Sequence, residues 1–402
     1  MLSANISRYA IQSVQRKHPL VIGIDATNIR GGGGVTHLVE LLSAINTLDY
    51  GIDRIVVWGG KFTLSALKDR PWLTKCNTPA LDKGLLQRTL WQRFRLSQAA
   101  RGEGCDLLFV PGGSYAGNFQ PVVTMSQNLL PFEMYELRRY GWNLFTLKLL
   151  LLRLTQSRSF SKANGVIFLT KYARDIVLRV TGKLGGQTCL VPHGLNPRFN
   201  QAPKVQRAIA DYDDANPYRV LYVSIIDQYK HQWHVVEAVA ALRQQGLPIV
   251  LDLVGSNYPP ALKRLNATIA RFDPDQRWVN YHGAIPYANL HTMYASVDAG
   301  IWASTCETFG IILLESMASG LPIACSNRGP MPEVLGTGGI YFDPEQANDI
   351  ARALRELIES PQLRTELARV SYQKAQQYSW QRCADETFGF LKKVAQEYKG
   401  NN

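Results

Sequence analysis

No Cys-x-x-Cys pair occurs in this sequence; its six cysteines (Cys76, Cys105, Cys189, Cys306, Cys325, Cys383) are scattered. That pattern excludes a zinc ribbon and argues against a disulfide framework, so the thiols are expected reduced and the chain cytoplasmic. No apolar run approaches the roughly 20 residues a membrane-spanning helix needs. The candidate within residues 144–154 is broken by Lys148 and Arg153. Residues 1–19 hold no apolar stretch long enough for a signal peptide, so the sequons at Asn5 and Asn266 carry little meaning. There is no GK[ST], and no GxGxxG with an acid about 20 residues later, which counts against P-loop enzymes and nicotinamide dehydrogenases. Internal repeats and low-complexity tracts are absent as well.

Acid is missing where base is concentrated. Residues 1–200 contain 25 Lys and Arg against 11 Asp and Glu, whereas the remainder contains 19 against 21. Two segments hold much of the excess: "LLQRTLWQRFRLSQAAR" (85–101) has four arginines and no acid, and "RRYGWNLFTLKLLLLRLTQSRSFSK" (138–162) has six basic residues and no acid. Both interleave Leu or aromatic residues with the charges. They fit an anionic membrane surface or an anionic acceptor, and equally ordinary amphipathic helices with a solvated basic face. A nucleic-acid face is the competing reading of such charge; no nucleic-acid partner is expected here.

The 402 residues are too many for one ordinary core. Short β-branched apolar runs alternate with helical patterns in both halves. They are 20–27, 54–60, 106–113, 121–127, 165–170 and 188–194, then 219–224, 248–255, 278–283, 299–304, 321–326 and 339–344. Near-continuous apolar strands between helices predict parallel sheets covered on both faces, and two series predict two doubly wound α/β domains. The expected division is 1–196, a polar proline-containing linker 197–217, 218–378, and a last helix 379–402. Ligands of such sheets bind beyond the carboxyl ends of the strands, so strand-end residues such as Ser224 are site candidates.

Gly31, Gly32, Gly33 and Gly34 precede an amphipathic helix, a place where the backbone can approach an anion closely. Lys230 lies in a loop just before another helix and can neutralise a phosphate as a point charge. His231 and His234, without an acidic neighbour, are read as packing or surface residues. The Asp211-Tyr212-Asp213 triplet follows no strand and is not read as a metal site; no metal or other cofactor is expected. In "CETFGIILLESM" (306–317), Glu307 falls in a loop and Glu315 inside an apolar helix. Eight positions span ~12 Å if helical throughout, close to the reach from the sugar to the ribose of a nucleotide sugar. A buried carboxylate needs a partner: hydroxyl pairs of a ligand, or a structural ion pair for Glu315 with Glu307 as a helix cap.

The stretch "ETFGIILLESMASGLPIACSNRGPMPEVL" resembles the Glu-x7-Glu signature of retaining glycosyltransferases of family 4, which have the GT-B fold. "GGGGVTHLVELL", "VPHGLNPRF", "YKHQWHVVEA", "GGIYFDP" and the late "YSW" helix fall in the same order as in that family. The resemblance implies two Rossmann-like domains facing a central cleft, with a nucleoside diphosphate sugar held mainly by the second. It implies that Glu307 holds the donor-sugar hydroxyls, Glu315 the ribose, Lys230 the phosphates, Phe309, Gly310 and Ile311 the sugar and phosphates through their backbone, and that Gly33 and Gly34 close over the diphosphate. The sequence departs from the family in two respects: Ile225 replaces its arginine, and Gln127 and Asn128 stand where it has a His-Asp pair.

The implied activity is metal-independent, configuration-retaining transfer of a hexose from a nucleoside diphosphate sugar to a glycan or lipid-linked glycan in cell-surface polysaccharide synthesis. Glu307, Lys230, Gln127 and Asn128 are the expected catalytic set. The enzyme is expected in the cytoplasm, peripherally at the inner face of the inner membrane. A GT-B nucleotide-sugar epimerase and a non-catalytic sugar-nucleotide-binding protein are the alternatives.

Overall fold

The computed structural model describes residues 19–400, so the expectations about the first residues and Asn5 lie outside the described part. Two all-parallel sheets carry the fold. The first contains β1 (Leu20–Asp25), β2 (Ile52–Trp58), β3 (Leu73–Cys76), β4 (Leu107–Val110), β5 (Val122–Ser126), β6 (Gly165–Phe168) and β7 (Gln187–Leu190), in the order β3-β2-β1-β4-β5-β6-β7. The second contains β8 (Tyr218–Val223), β9 (Ile249–Val254), β10 (Val279–Tyr281), β11 (Ala299–Trp302), β12 (Ile323–Ser326) and β13 (Ile340–Phe342), in the order β10-β9-β8-β11-β12-β13. Central strands such as β4, β6, β9 and β11 are buried throughout, as expected of sheets covered on both faces.

Each apolar run of the sequence forms one strand. β3 has no such run. It is the edge strand of the first sheet, half-buried at all four residues, and Lys75 lies within it. An edge strand tolerates charge because one side of its ladder faces solvent.

The last helix, Trp380–Gly400, returns to the first domain and packs on helix Gly32–Ala44 and on the starts of β4 and β6. Its Phe390 ring comes so close to Gly165 that a side chain there would stand 2.9 Å from the ring. Tyr50 Oη donates to Asp385 on the same helix at 2.7 Å. Among the described residues, no helix is long and apolar enough to cross a membrane.

The sheets meet across a seam of polar contacts. Tyr140 Oη donates to Asp227 (2.7 Å), Thr305 Oγ1 to Glu136 (2.7 Å) and Thr170 Oγ1 to the carbonyl of Thr308 (2.8 Å). Arg139 bridges Glu136 and Glu345, and Glu333 accepts the first amides of helix Lys171–Thr181. That last contact places an acid at a helix start, where the dipole favours it.

Candidate functional site

The order of the second sheet reverses between β8 and β11. Loops leaving the carboxyl ends of such a pair diverge and open a crevice. Ser224 and Lys230 lie on the loop after β8, and Glu307 on the loop after β11.

The loop after β8 is tightly held. Lys230 N donates to Asp227 O (3.1 Å), and Tyr222 Oη reaches back from β8 to Lys230 O (2.7 Å). His231 then takes a left-handed φ of 52° and helix Gln232–Arg243 begins. Gln232 Nε2 donates to Ser224 Oγ (2.8 Å) and to the carbonyl of Ile225 (2.9 Å). The Lys230 ammonium is thereby aimed at Glu307, with which it forms an ion pair. It is 5% exposed and stands over the rings of Trp302 (4.6 Å) and Tyr229 (5.0 Å). For a cation so enclosed, a phosphate exchanges readily for a carboxylate as the partner.

Gly310 ends the Glu307 loop at φ 90°, a conformation that disfavours any side chain; a methyl there would stand 2.9 Å from Met331 Cε. Helix Ile311–Ala318 starts immediately after it, so its first amide groups lack acceptors within the helix. Because only the second half of the Glu307–Glu315 interval is helical, the ~12 Å of a continuous helix is not the relevant spacing.

The first domain faces this loop. The carbonyl of Gln127 accepts from Thr308 Oγ1 (3.4 Å), while the Gln127 side-chain amide rests on Met125 Sδ (3.3 Å). Asn128 Oδ1 accepts from Leu130 N (3.1 Å), which closes a turn. A methyl on Gly34 would lie 3.9 Å from Gln127 Oε1, whereas Gly33 is exposed with open space around it. The glycines do not all precede their helix: Gly32, Gly33 and Gly34 form its first turn, and Gly31 caps it. Backbone hydrogen bonding, not side-chain pattern, sets that boundary, and glycine offers no pattern to read. Ile225, at the position of the family's arginine, is 37% exposed.

Glu315 finds its partners inside the protein. It is 1% exposed, and its carboxyl accepts from Tyr287 Oη (2.8 Å) and Tyr294 Oη (3.5 Å). Among the described residues Glu315 forms no ion pair; two tyrosine hydroxyls satisfy its buried carboxyl. Burial pushes its pKa up to about 8, against the opposing pull of the two tyrosines and of Arg198. The folded protein therefore holds a proton that the unfolded chain releases near pH 4.5. Stability from this group is complete below pH 4.5 and is lost progressively as pH rises toward 8. Glu315→Gln, which mimics the neutral acid, is expected to flatten that decline. Melting temperatures of both proteins from pH 5 to 9 that run parallel would contradict this account.

Pattern reading missed a histidine pair. His193, just beyond β7, and His37, on helix Gly32–Ala44, meet at 3.1 Å between their Nδ1 atoms. His193 also meets the ring of Phe309 edge-on (5.5 Å), and Trp380 packs against both histidines. Burial lowers the pKa of His37 to about 4 and that of His193 well below its ordinary value, so both rings are neutral, one donating and the other accepting. The pair ties the glycine helix, the buried Phe309 and the last helix together. The signal was present as "VTH" after the glycines and "VPHG" at a strand end.

Asp211 and Asp213 only cap turns, accepting from Ala208 N and from Ala215 N and Asn216 N. Among the described residues, no group of three His, Cys, Asp or Glu is placed to hold a metal ion.

Residues 210–374 match the family model of Glycosyl transferases group 1. The chain is 30% identical over 115 residues to the O-antigen chain mannosyltransferase B of Escherichia coli, an alignment covering 29% of this chain and 30% of that protein. It likewise spans less than half the length of the other curated relatives it first matches. The fold is shared more widely. Sucrose-phosphate synthase from Thermosynechococcus elongatus superposes over 93% of this chain and 99% of its own, with a TM-score of 0.74 at 18% identity. Anabaena Alr3699/HepE, solved in complex with UDP-glucose, superposes over 95% and 100% with a TM-score of 0.65 at 17% identity. The architecture is that of GT-B glycosyltransferases.

Proposed function

We propose that this protein transfers a hexose from a nucleoside diphosphate sugar to a glycan or lipid-linked glycan, with retention of configuration and without a metal, in cell-surface polysaccharide synthesis. The observation that carries this reading is the enclosed Lys230–Glu307 pair at the switch point of the second sheet, beside the helix start at Gly310. The match of that domain to group 1 glycosyltransferases, the O-antigen mannosyltransferase relative and the UDP-glucose complex of the Anabaena neighbour support it. The basic first domain favours an acceptor at the cytoplasmic face of the membrane.

In this reading the donor diphosphate takes over the Lys230 ammonium, and Glu307, released, accepts hydroxyls of the donor sugar. The transition state is oxocarbenium-like, and negative charge grows on the leaving diphosphate. Lys230, the free amides after Gly310 and the glycine turn at Gly33 and Gly34 stabilise that charge. Gln127 and Asn128 cannot act as bases near neutral pH, because amides do not accept a proton there. The acceptor hydroxyl then attacks on the face the diphosphate leaves, and its proton passes to the departing phosphate oxygen. The amides of Gln127 and Asn128 orient sugar hydroxyls.

A thermal-shift panel of UDP, GDP, ADP and their sugars tests the donor. At a hundredfold excess over Kd one of them should add about 2.7 kcal/mol of stability, roughly 5–10 °C for a domain of this size. No shift with any member of the panel would overturn the reading.

A further inference from the structure

A large cavity lies within the first domain and meets the proposed sugar site at Asn128. It is formed by the two basic segments, helix Leu85–Trp91 with its continuation on one side and helix Leu144–Lys162 on the other, and its volume is about 990 Å³. That is enough for a sizeable ligand. Six cations line it (Arg30, Arg88, Arg93, Lys148, Arg158, Lys162), and no carboxylate does.

These charges are uncompensated. Among the described residues, none of the six forms an ion pair with a carboxylate. The arginines are instead positioned by neutral oxygens: Arg30 by the carbonyls of Leu81 and Lys83, Arg88 by that of Thr27, Arg93 by that of Ala116. Burial and the neighbouring Arg30 lower the pKa of Arg88, the mark of a cation short of an anion. Asp25, bonded to the lining residue Gln92, is itself buried, and burial raises its pKa. Three buried polar atoms of the wall have no partner: Arg88 Nε, Ser114 Oγ and Gln156 Oε1. The helical wall widens to a π-turn over Gln92–Leu96, a distortion common where a helix serves a site.

The exposed face of helix Leu144–Lys162 has the opposite chemistry. Leu144, Leu147, Leu151 and Leu154 recur at helical spacing on one exposed face of helix Leu144–Lys162, each more than half exposed. Leu85 stands across from Leu151 in the cavity lining and is 51% exposed. Such an apolar stripe is seldom left bare without a partner. Beside the donor cleft the cavity reaches Asn128, which follows the Gln127 that Thr308 contacts across the seam.

We propose that this cavity binds one anionic amphiphile, an acceptor in which a phosphate or diphosphate joins a hydrocarbon chain to a sugar. The phosphate sits on Arg88 and Arg30, whose planar guanidinium groups suit its oxygens. The chain lies over Leu85 and Leu151, and the sugar extends past Asn128 toward the second domain. The word "acceptor" rests on the glycosyl-transfer reading; the binding itself does not.

Farnesyl diphosphate is the probe, with inorganic diphosphate and farnesol as its two halves, measured by calorimetry on the full chain. Farnesyl diphosphate should bind at least tenfold more tightly than either half. Arg30→Ala with Arg88→Ala should weaken it tenfold or more. Leu151→Asn, at an exposed position that leaves folding intact and adds no charge, should weaken farnesyl diphosphate and leave inorganic diphosphate unchanged. Lys230→Ala should leave farnesyl diphosphate binding unchanged; any inorganic diphosphate binding that it removes belongs to the donor site. Equal affinity for inorganic and farnesyl diphosphate in the Lys230→Ala background, or loss of farnesyl diphosphate binding in Lys230→Ala, would overturn the proposal. So would attachment to phosphatidylglycerol vesicles without farnesyl diphosphate binding, which marks a membrane-facing surface. Nucleotide binding with no amphiphile binding removes this proposal and leaves the donor reading standing; the reverse result removes only the donor reading.

Discussion

Lys230→Ala should lower the rate of sugar transfer by on the order of 100- to 1000-fold, the usual cost of losing one preorganised charge contact to a developing oxyanion. The ammonium is enclosed by Trp302 and Tyr229 and paired with Glu307, so no neighbouring side chain substitutes for it. Glu307→Ala should cost a similar factor by removing the acceptor of the sugar hydroxyls. The double substitution should cost clearly less than the product of the two, because each single change already disables a pair that acts as a unit. Lys230→Arg should not restore the rate, since a planar fork does not fit where a compact ammonium is boxed in by two rings. Initial rates of the four variants, with melting temperatures to confirm folding, check this. Unchanged transfer in both single variants would remove these two residues from the site.

Gly255→Ala should destabilise the second domain by about 3 kcal/mol or more, a fall of roughly 6–12 °C in its unfolding midpoint. Gly255 follows β9 with φ 149°, and a methyl on it would stand 2.0 Å from the carbonyl oxygen of Ser224. That neighbour is backbone, and it is fixed: Ser224 N donates to Val254 O and Gly255 N to Gly283 O, each at 2.8 Å. Relief of the clash must push the β8 loop outward, and Lys230 is on that loop. Nucleotide affinity should therefore fall together with the melting temperature. An alanine variant with wild-type stability would show that the two loops are not held as tightly as these contacts require.

Much of this architecture was legible because its physical cause is local. A buried parallel strand needs apolar side chains on both faces, so "IVLDLV" and "AGIW" announce β9 and β11 without tertiary information. β3 escaped because an edge strand has weaker demands. Lys230 and Glu307 were each recognisable as candidates from their positions at strand ends, and the histidine pair was not. "VTH" and "VPHG" mark the two histidines as lying near strand and helix ends, but not that they meet each other across 156 positions.

What the sequence by itself determined, then, is the alternation of strand and helix, the division into two sheets, the basic bias of the first half and the residues capable of anion or hydroxyl chemistry. Each follows from neighbours a few residues apart. Only the tertiary structure decided which of those residues meet. It joined Lys230 to Glu307 across 77 positions and closed Glu315 behind Tyr287 and Tyr294. It also turned two basic helices, separately readable as solvated surfaces, into facing walls of one cavity. The reason is that parallel sheets gather strand ends distant in sequence into one crevice, and the charge or burial of a side chain there depends on what stands opposite it.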